Sequence, residues 1–435
     1  MLVSKKVLKG LNGSVKIPGD KSISHRSIII PSISNGNCKV SNLLWSEDVI
    51  NTLNAFKKMG VKIERYKNDI NITGNGLKSL KQPSDKINLG NSGTSARLLT
   101  GLLSAQNFNS TIFGDKSLSK RPMGRIINPL KLMGAKFESK ENKLPLKIIG
   151  QKLKNIDYRL ELPSAQVKSG LIFAALNIDG VTNIIEEKIT RNHTEIMLES
   201  FESGIEIKTF NKERKISIKG NKELKSKDIS VPSDLSSASF FIVAALINKD
   251  SNIIINNVNL NPTRNGILLA LEKMGANIII KNKKISNGEV IGDLEIRSSN
   301  LKGCELDKDI ADLMIDEYPI LAIAASFASS PSLFKGLGEL KVKESDRLEL
   351  IRYNLNQCGI ECKVTGEDLY INPKSKKAPT NNVIRTDYDH RIAMAFAIMG
   401  TKLDTNMKID NCDCINTSFP SFIESLNLIG GNLSE

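Results

Sequence analysis

A recurring pattern of apolar and polar positions organises this chain. An amphipathic helix ends, a glycine follows, and apolar and polar positions then alternate as in a half-buried strand. Glycine at such a junction is typical of a helix C-cap, where the left-handed backbone strains residues that carry a Cβ. The pattern predicts six helix-to-strand junctions, at Gly60, Gly134, Gly204, Gly275, Gly359 and Gly430.

A second marker repeats at the same interval. Six segments begin with small polar residues and continue as helices rich in Ala, Ile and Leu, starting near Ser24, Thr94, Ala165, Ser236, Glu317 and His390. These helices are apolar on almost every side, so we expect them to be buried, whereas the next helix of each repeat has mixed faces and should lie outside. Neighbouring markers are 70 to 84 residues apart. The two series together predict six copies of a repeat of about 72 residues, each with two helices and several strands.

The repeat also predicts the domain organisation. Its period exceeds the roughly 20 to 50 residues of solenoid repeats, so each copy is a small folding unit and six copies divide into two groups of three. Pro232 interrupts the pattern between the third and fourth copies, and the dipeptide Pro18–Gly19 resembles a second hinge. We therefore predict one domain at residues 19–231 and a second at residues 1–18 with 232–435, with hinges at 18–19 and 231–234. The strand at residues 13–18 could pair with either half.

Composition and charge narrow the classes of function. With 40% hydrophobic and 25% charged residues among 435, the chain is an ordinary globular protein and not a disordered, collagenous or coiled-coil one. Its apolar stretches are shorter than the roughly 20 residues that span a bilayer, and its first residues lack the apolar core of a signal peptide. Six scattered cysteines indicate neither a disulfide framework nor a metal site. We expect a reduced cytoplasmic protein without a membrane partner or a metal.

The net charge of +14 favours anionic partners, namely nucleic acid, acidic lipid or a small phosphorylated or carboxylated substrate, although a Lys-rich solvated surface explains it equally well. The N-termini of helices carry unpaired N–H groups and partial positive charge, which suits anions. If the six buried helices direct these ends into a shared cleft, that cleft binds phosphate or carboxylate. The alternative is that their Ser, Thr and Asp residues are only N-caps.

Charged and hydroxyl side chains crowd the same helix beginnings. The segments that contain them are residues 19–26, 91–97, 120–125, 163–169, 191–195, 312–319, 341–347 and 387–395. If the seventh segment is helical, Lys343 and Arg347, which are four residues apart, share one face of that helix. The chain has no Gly-x-x-x-x-Gly-Lys-Ser/Thr phosphate-binding loop. Taken singly, such segments are typical of solvated loops and helix caps.

Taken in order, these motifs resemble those of the enolpyruvyl transferases, from about residue 10 to about residue 425. The motifs that carry the resemblance are Lys21–Ser22 with Arg26, residues 90–94 with Arg97, residues 120–125, residues 343–347 and residues 389–391. The resemblance implies an α/β fold, a two-domain inside-out α/β barrel with six repeated helix-and-strand units, three per domain. Within this family, the motifs resemble those of the branch that transfers the enolpyruvyl group of phosphoenolpyruvate to the 5-hydroxyl of shikimate 3-phosphate and releases phosphate. This reaction is on the route to chorismate and the aromatic amino acids.

The resemblance also implies roles for particular residues. Those that would hold shikimate 3-phosphate are Lys21, Ser22, Arg26, Ser164, Ala165 through its backbone, Gln166, Arg191, Asp316 and Lys343. Those that would hold phosphoenolpyruvate are Lys21, Gly93, Arg121, Gln166, Arg347 and Arg391. Asp316 would accept the proton of the attacking hydroxyl, and Glu344 with Lys21 would handle the proton of the methylene carbon. The family needs no cofactor and no metal, and its two domains are expected to close on the ligands.

Departures and alternatives remain open at this point. Many family members have a lysine shortly before the C-terminal Phe-Pro, where this chain has Thr417. With Ser164–Ala165–Gln166 and residues 191–195, this feature resembles the subgroup called class II, whereas Gly93 leaves the response to glyphosate undecided. The sibling transferase that acts on a UDP-sugar uses a cysteine near the position of Arg121, where this chain has none. A nucleic-acid binder is a further alternative, but only 5% of residues are aromatic and no binding motif occurs. We expect a monomer.

Overall fold

The computed structural model describes residues 1–211, 213–376 and 381–435, with only the backbone described at 375 and 376. The α-helices in these ranges are α1 (Lys21–Ser32), α2 (Glu47–Lys58), α3 (Gly93–Ser104), α4 (Gly124–Leu132), α5 (Ala165–Ala175), α6 (His193–Ser200), α7 (Leu235–Ile247), α8 (Gly266–Lys273), α9 (Lys308–Met314), α10 (Tyr318–Ser326), α11 (Arg347–Gln357), α12 (His390–Gly400) and α13 (Phe422–Leu428). Short 3-10 helices lie at Leu118–Lys120, Ile315–Glu317, Gly338–Val342 and Cys412–Thr417.

The strands in the described ranges are β1 (Leu2–Ser4), β2 (Asn12–Val15), β3 (Asn35–Ser41), β4 (Lys62–Tyr66), β5 (Asp69–Asn75), β6 (Ile87–Asn88), β7 (Ser110–Phe113), β8 (Lys136–Glu138), β9 (Leu146–Ile149), β10 (Asp157–Arg159), β11 (Val181–Glu186), β12 (Glu206–Phe210), β13 (Glu213–Lys219), β14 (Ile229–Ser230), β15 (Asn252–Asn259), β16 (Asn277–Ser286), β17 (Glu289–Arg297), β18 (Glu305–Leu306), β19 (Ser332–Phe334), β20 (Ile360–Thr365), β21 (Asp368–Lys376), β22 (Val383–Ile384), β23 (Met407–Ile409) and β24 (Leu433–Ser434).

These strands form six four-stranded sheets with one shared pattern. Their orders are β14-β3-β5-β4, β6-β7-β9-β8, β10-β11-β13-β12, β2-β15-β17-β16, β18-β19-β21-β20 and β22-β23-β1-β24. In each sheet the first strand is parallel to the second, and the third is antiparallel to the second. Three sheets take a strand from far along the chain, because β14 pairs with β3, β2 pairs with β15 and β1 pairs with β23. The N-terminal strand, left open by the sequence, thus pairs with the C-terminal half.

Contacts between Cα atoms divide the chain into two compact lobes. The first lobe comprises residues 19–231 and 286–289, and the second comprises residues 1–18, 232–285 and 290–435. Each lobe has its own hydrophobic core. The helices α1, α3 and α5 in the first lobe and α7, α10 and α12 in the second are almost wholly buried, as their apolar sequences predict.

The six predicted junction glycines are confirmed. Their φ angles lie between +72° and +107°, in the left-handed region that disfavours residues with a Cβ. Glycine has a different role where α3 meets α5, because a Cβ on Gly101 would lie only 1.8 Å from the carbonyl oxygen of Gly170. The two small residues bring these helix backbones into contact, which sets the positions of the side chains at their N-terminal ends.

Candidate active site

In the first lobe, hydrogen bonds link the first turns of the three buried helices. Gln166 on α5 accepts at Oε1 from Arg97 on α3 (2.7 Å) and donates from Nε2 to Thr94 (3.0 Å). Arg26 on α1 donates from Nη2 to Ser169 on α5 (2.8 Å). The structure therefore brings the beginnings of α1, α3 and α5 together. The predicted site residues on these helices or next to their first residues are Lys21, Ser22, Arg26, Gly93, Ser164, Ala165 and Gln166.

Arg26 is a buried guanidinium with only 3% of its surface exposed. Its Nε donates to Thr194 Oγ1 (2.6 Å) and its Nη1 to the carbonyl oxygen of Ser22 (2.8 Å). Burial lowers the pKa of Arg26 to about 10, and the positive charge of Arg191 acts in the same direction, whereas the carboxylate of Glu195 opposes it. Two guanidinium groups close enough to repel are typical of a site for a phosphate or carboxylate, which would relieve that repulsion.

Lys21 and His25 lie one turn apart on α1 and differ in charge. Lys21 forms an ion pair with Asp48 of α2, whose side chain is only 7% exposed. His25 is buried, and its Nδ1 lies 2.8 Å from Thr52 Oγ1 and 3.2 Å from Ser95 Oγ. Burial, together with the charges of Lys21 and Arg26, lowers the pKa of His25 well below its usual value. The lysine thus supplies positive charge beside a neutral imidazole.

Gly93, at the first position of α3, lies against two guanidinium groups. A Cβ on Gly93 would lie 2.9 Å from Arg97 Nη1 and 3.2 Å from Arg121 Nη1. Arg121 donates from Nη2 to Asn91 Oδ1 at 2.5 Å. This glycine therefore lets two cations approach the N-terminal backbone of α3, where an anion would find both charge and N–H groups.

Ser164, Ala165 and Arg191 lie at the beginnings of α5 and α6. Ser164 is the N-cap of α5 and accepts from the N–H of Val167 (3.4 Å). Its own hydroxyl proton is thereby left to donate elsewhere. Arg191 is half-buried and immediately precedes Asn192, the N-cap of α6.

In the second lobe, the buried Arg347 is the centre of a cluster of three carboxylates. Its Nε donates to Asp389 Oδ2 (2.8 Å), its Nη1 to Asp316 Oδ1 (3.2 Å) and its Nη2 to Glu344 Oε2 (2.5 Å). The Arg347 side chain is only 1% exposed. Burial alone would lower its pKa, but the three carboxylates raise the pKa of Arg347 well above its usual value. The guanidinium is therefore permanently charged and fixes both carboxylates that the sequence marked for proton transfer.

The segment that contains Lys343 and Arg347 is not one helix, so the condition for a shared face is not met. Lys343 and Arg347 do not share a helix face, because α11 begins only at Arg347 and Asp346 is its N-cap. Lys343 lies just after the 3-10 helix Gly338–Val342 and reaches Asp316 Oδ1 at 3.5 Å. The two cations therefore meet at Asp316 from different segments rather than along one helix.

Arg391, in the first turn of α12, is held differently from Arg347. Its Nη1 donates to Ser236 Oγ (2.7 Å) and to the carbonyl oxygen of Asp316 (3.1 Å). Ser236 in turn contacts the buried Glu317, which lies 3.4 Å from Arg264. Arg391 forms no ion pair with a carboxylate in the described ranges, so its charge is available to an anionic ligand.

The helix-terminus argument from the sequence needs correction for three of the six buried helices. The N-caps of α1, α7 and α12 are the carboxylates Asp20, Asp234 and Asp389, each of which accepts from an N–H of the first turn. These N-termini already carry negative charge. Of the remaining ends, α3 and α5 have neutral serine caps, and both lie in the first lobe. Anion binding in the second lobe therefore depends on arginine and lysine side chains.

The sequence did not assign roles to several residues that hold the site together. They are Asp48, Asn91, Arg97, Ser236, Glu317, Ser345 and Asp389. Asp48 gives a weak signal, because acidic residues are common in the first turn of any helix. Asp389 lies in a noted motif, but its partner Arg347 is 42 residues away in sequence.

Two further features bear on ligands. No group of three or more His, Cys, Asp or Glu residues in the described part of the chain is arranged to hold a metal ion. No helix there has the length and apolar character needed to cross a membrane.

Comparisons with known proteins agree with this geometry. The family model of EPSP synthase (3-phosphoshikimate 1-carboxyvinyltransferase) matches residues 6–426. The 3-phosphoshikimate 1-carboxyvinyltransferase of Vesicomyosocius okutanii subsp. Calyptogena okutanii is 46% identical, covering 97% of this chain and 96% of the relative. The enzyme of the same name from Oceanobacillus iheyensis is 44% identical, covering 96% and 97%.

Solved structures show the same fold. EPSP synthase from Acinetobacter baumannii superposes with a TM-score of 0.88 at 41% identity, covering 100% of this chain and 99% of that one. The enolpyruvyl transferase NikO from Streptomyces tendae, at 14% identity and a TM-score of 0.77, shares the fold, covering 100% and 98%. The predicted enolpyruvyl transferase fold is confirmed, and the matches favour this branch over the UDP-sugar transferase and the nucleic-acid binder. The chain belongs to the EPSP synthase (3-phosphoshikimate 1-carboxyvinyltransferase) family and is a transferase of the shikimate pathway, which makes the aromatic amino acids.

Proposed function

We propose that this chain transfers the enolpyruvyl group of phosphoenolpyruvate to the 5-hydroxyl of shikimate 3-phosphate and releases inorganic phosphate. The observation that carries the proposal is the cluster around Arg347, which fixes Asp316 and Glu344 beside Lys343. Enol ether formation requires one group in the carboxylate form to take a proton and a protonated carboxyl group to give one. The cationic cluster of the first lobe supplies the complementary need, which is to hold two multiply charged anions.

Shikimate 3-phosphate is assigned mainly to the first lobe. Its 3-phosphate would accept from the Ser164 hydroxyl, the Ala165 N–H and the Arg191 guanidinium, at the serine-capped N-terminus of α5. The ring hydroxyls and carboxylate would contact Lys21, Ser22, Arg26 and Gln166. Asp316 and Lys343 would contact the 5-hydroxyl.

Phosphoenolpyruvate is assigned to the residues Lys21, Gly93, Arg121, Gln166, Arg347 and Arg391. Gly93 would contribute its backbone N–H beside Arg121. Arg391 forms no carboxylate pair in the described ranges and is the simplest partner for the substrate carboxylate. Arg347 already contacts three carboxylates, so it would act on this substrate only through its remaining N–H groups.

The reaction is an addition followed by an elimination. Asp316 takes the proton of the 5-hydroxyl while the hydroxyl oxygen forms a bond to C2 of phosphoenolpyruvate. Glu344, with Lys21, donates a proton to C3, which becomes a methyl group. The tetrahedral intermediate then loses phosphate with the electron pair of the C2–O bond, and the methyl group returns one proton to restore the double bond. Each proton transfer contributes about 10²- to 10⁴-fold in rate, and the fixed cations stabilise the anionic groups without reorganising.

Several finer assignments belong to the same proposal. Thr417 stands where many family members carry a lysine, and this missing lysine supports a class II-like subgroup. The six cysteines are free thiols, which supports a reducing cytoplasmic setting. We also propose a monomer whose two lobes are the two domains of the family.

The test replaces each proton-transfer carboxylate by its amide. Asp316→Asn and Glu344→Gln should each lower the rate of phosphate release at least about a hundredfold, while calorimetric titration with shikimate 3-phosphate still shows binding. The matched control is Asp346→Asn, since Asp346 is exposed and caps α11 beside the same cluster. Near-normal turnover in Asp316→Asn would remove it as the base. Turnover in D₂O should also place deuterium on the product methylene carbon, and its absence would contradict the addition step.

A further inference from the structure

A buried group of four charges lies beneath the phosphate-binding end of α5. We define the Lys168 cluster as Lys168, Glu186, Glu195 and Arg214. The Lys168 side chain is fully buried, and its Nζ lies 2.9 Å from Glu186 Oε2 and 2.7 Å from Glu195 Oε1. Arg214 Nη1 lies 3.8 Å from Glu186 Oε1. Two cations and two carboxylates balance, and removing a single partner from such a group leaves an uncompensated buried charge.

The Lys168 cluster is connected to the segment that carries Arg191. Glu186 Oε2 accepts from the N–H of Thr190 (3.2 Å) and from its Oγ1 (2.8 Å). Lys168 Nζ donates to the carbonyl oxygen of Thr190 at 3.4 Å. Three polar atoms of Thr190 are therefore held by the cluster, and the next residue along the chain is Arg191.

The same cluster lies next to two other parts of the site. Lys168 is in the first turn of α5, and its N–H donates to the carbonyl oxygen of Ser164 (3.0 Å). Glu195 follows Thr194, whose hydroxyl accepts from Arg26 Nε. The cluster thus joins the α5 N-terminus, the Arg191 segment and the residue that orients Arg26. Burying the lysine costs desolvation free energy, which its two carboxylate partners offset.

We propose that the Lys168 cluster positions Arg191 for the 3-phosphate of the substrate, acting through Thr190. Lys168 itself does not touch the substrate, because its charge is balanced by two buried carboxylates. The cluster holds the Arg191 backbone in place before the substrate arrives, so that binding does not have to order it. This inference rests on the proposed role of Arg191.

The experiment removes one hydroxyl from this connection. Thr190→Val deletes the hydrogen bond to Glu186 and keeps the shape of the side chain, so KM for shikimate 3-phosphate should rise about tenfold while KM for phosphoenolpyruvate stays unchanged. Thr190→Ser keeps the hydroxyl and should restore the original KM. The matched control is Thr182→Val on β11, the strand that carries Glu186, because Thr182 is also buried and its hydroxyl has no partner among the described residues.

A double-mutant cycle separates this inference from the role of Arg191. If Thr190 acts through Arg191, Thr190→Val should add nothing to the effect of Arg191→Met. If Thr190→Val has the same effect in the unsubstituted protein and in Arg191→Met, the inference is overturned. It is also overturned if Thr190→Val raises the KM values for both substrates and lowers the thermal stability. An unchanged KM in Thr190→Val beside a raised KM in Arg191→Met would also overturn it. An unchanged KM in Arg191→Met would instead overturn the proposed role of Arg191.

Discussion

At the scale of single residues, two buried arginines show how neighbours decide what a charge can do. Arg347 is surrounded by three carboxylates that raise its pKa, so it organises acidic groups. Arg26 has hydroxyl and carbonyl hydrogen-bond partners, and burial lowers its pKa to about 10 because nearby carboxylates such as Glu195 offset the burial only in part. The sequence identified both residues, but it could not distinguish their surroundings, because the partners are distant in sequence.

Gly93→Ala tests how closely the backbone and the two guanidinium groups are fitted. The added Cβ would meet Arg97 Nη1 at 2.9 Å and Arg121 Nη1 at 3.2 Å, and these flexible ends can move at little cost in stability. We expect KM for phosphoenolpyruvate to rise about tenfold, with the melting temperature nearly unchanged. Gly124→Ala is the matched control, because a Cβ there meets nothing closer than 3.9 Å. A lower melting temperature with an unchanged KM would contradict this.

His25 predicts a pH dependence of folding stability. Its pKa is lowered in the folded protein, so the unfolded chain binds a proton first as the pH falls. The stabilisation is therefore complete above pH 6.5 and decreases below it, by about 1 kcal/mol between pH 6.5 and 5.5. Urea unfolding at the two pH values should show this loss, and His25→Gln should show a smaller one. Equal losses in both proteins would exclude His25 as the source.

At the scale of elements, the sequence predicted most of what is local. The six junction glycines and the six buried helices follow from periodicity and capping, which depend on neighbouring residues. Helices such as α2 and α8 follow the buried helices and have mixed faces, as the repeat predicts. The extra helix α9 was not predicted, nor was the pairing of β2 with β15 and β1 with β23. Such pairings depend on which distant segments meet, and local pattern carries no information about that.

Two aspartate N-caps in the second lobe should respond differently to the same substitution. Asn is as good an N-cap as Asp, so Asp346→Asn at the exposed start of α11 should change the free energy of unfolding by less than about 0.5 kcal/mol. Asp389→Asn at the buried start of α12 also removes the charge that faces Arg347, and should cost about 2 kcal/mol or more. Denaturant titration of both variants measures this difference. Equal costs would mean that Asp389 serves only as a cap.

At the scale of the whole molecule, the chemistry is divided between two lobes with one architecture. The first lobe carries cations and neutral helix caps suited to anions, and the second carries the carboxylates suited to proton transfer. Lys21 and Arg391 are 370 residues apart in the chain. In the sequence, only the ordered set of motifs indicated that both residues serve one reaction. The supporting contacts of Asp48 and Lys168 became visible only in the structure. Each residue forms an ion pair with a partner outside its own sequence motif.

The most direct test of the central claim is phosphate release by the purified protein when each substrate is supplied alone and when both are supplied together. The account predicts release only when phosphoenolpyruvate and shikimate 3-phosphate are both present, and its loss, by at least about a hundredfold, in Lys21→Met. Phosphate release from phosphoenolpyruvate in the absence of shikimate 3-phosphate would contradict the account. Equal phosphate release when a UDP-sugar replaces shikimate 3-phosphate would also contradict it.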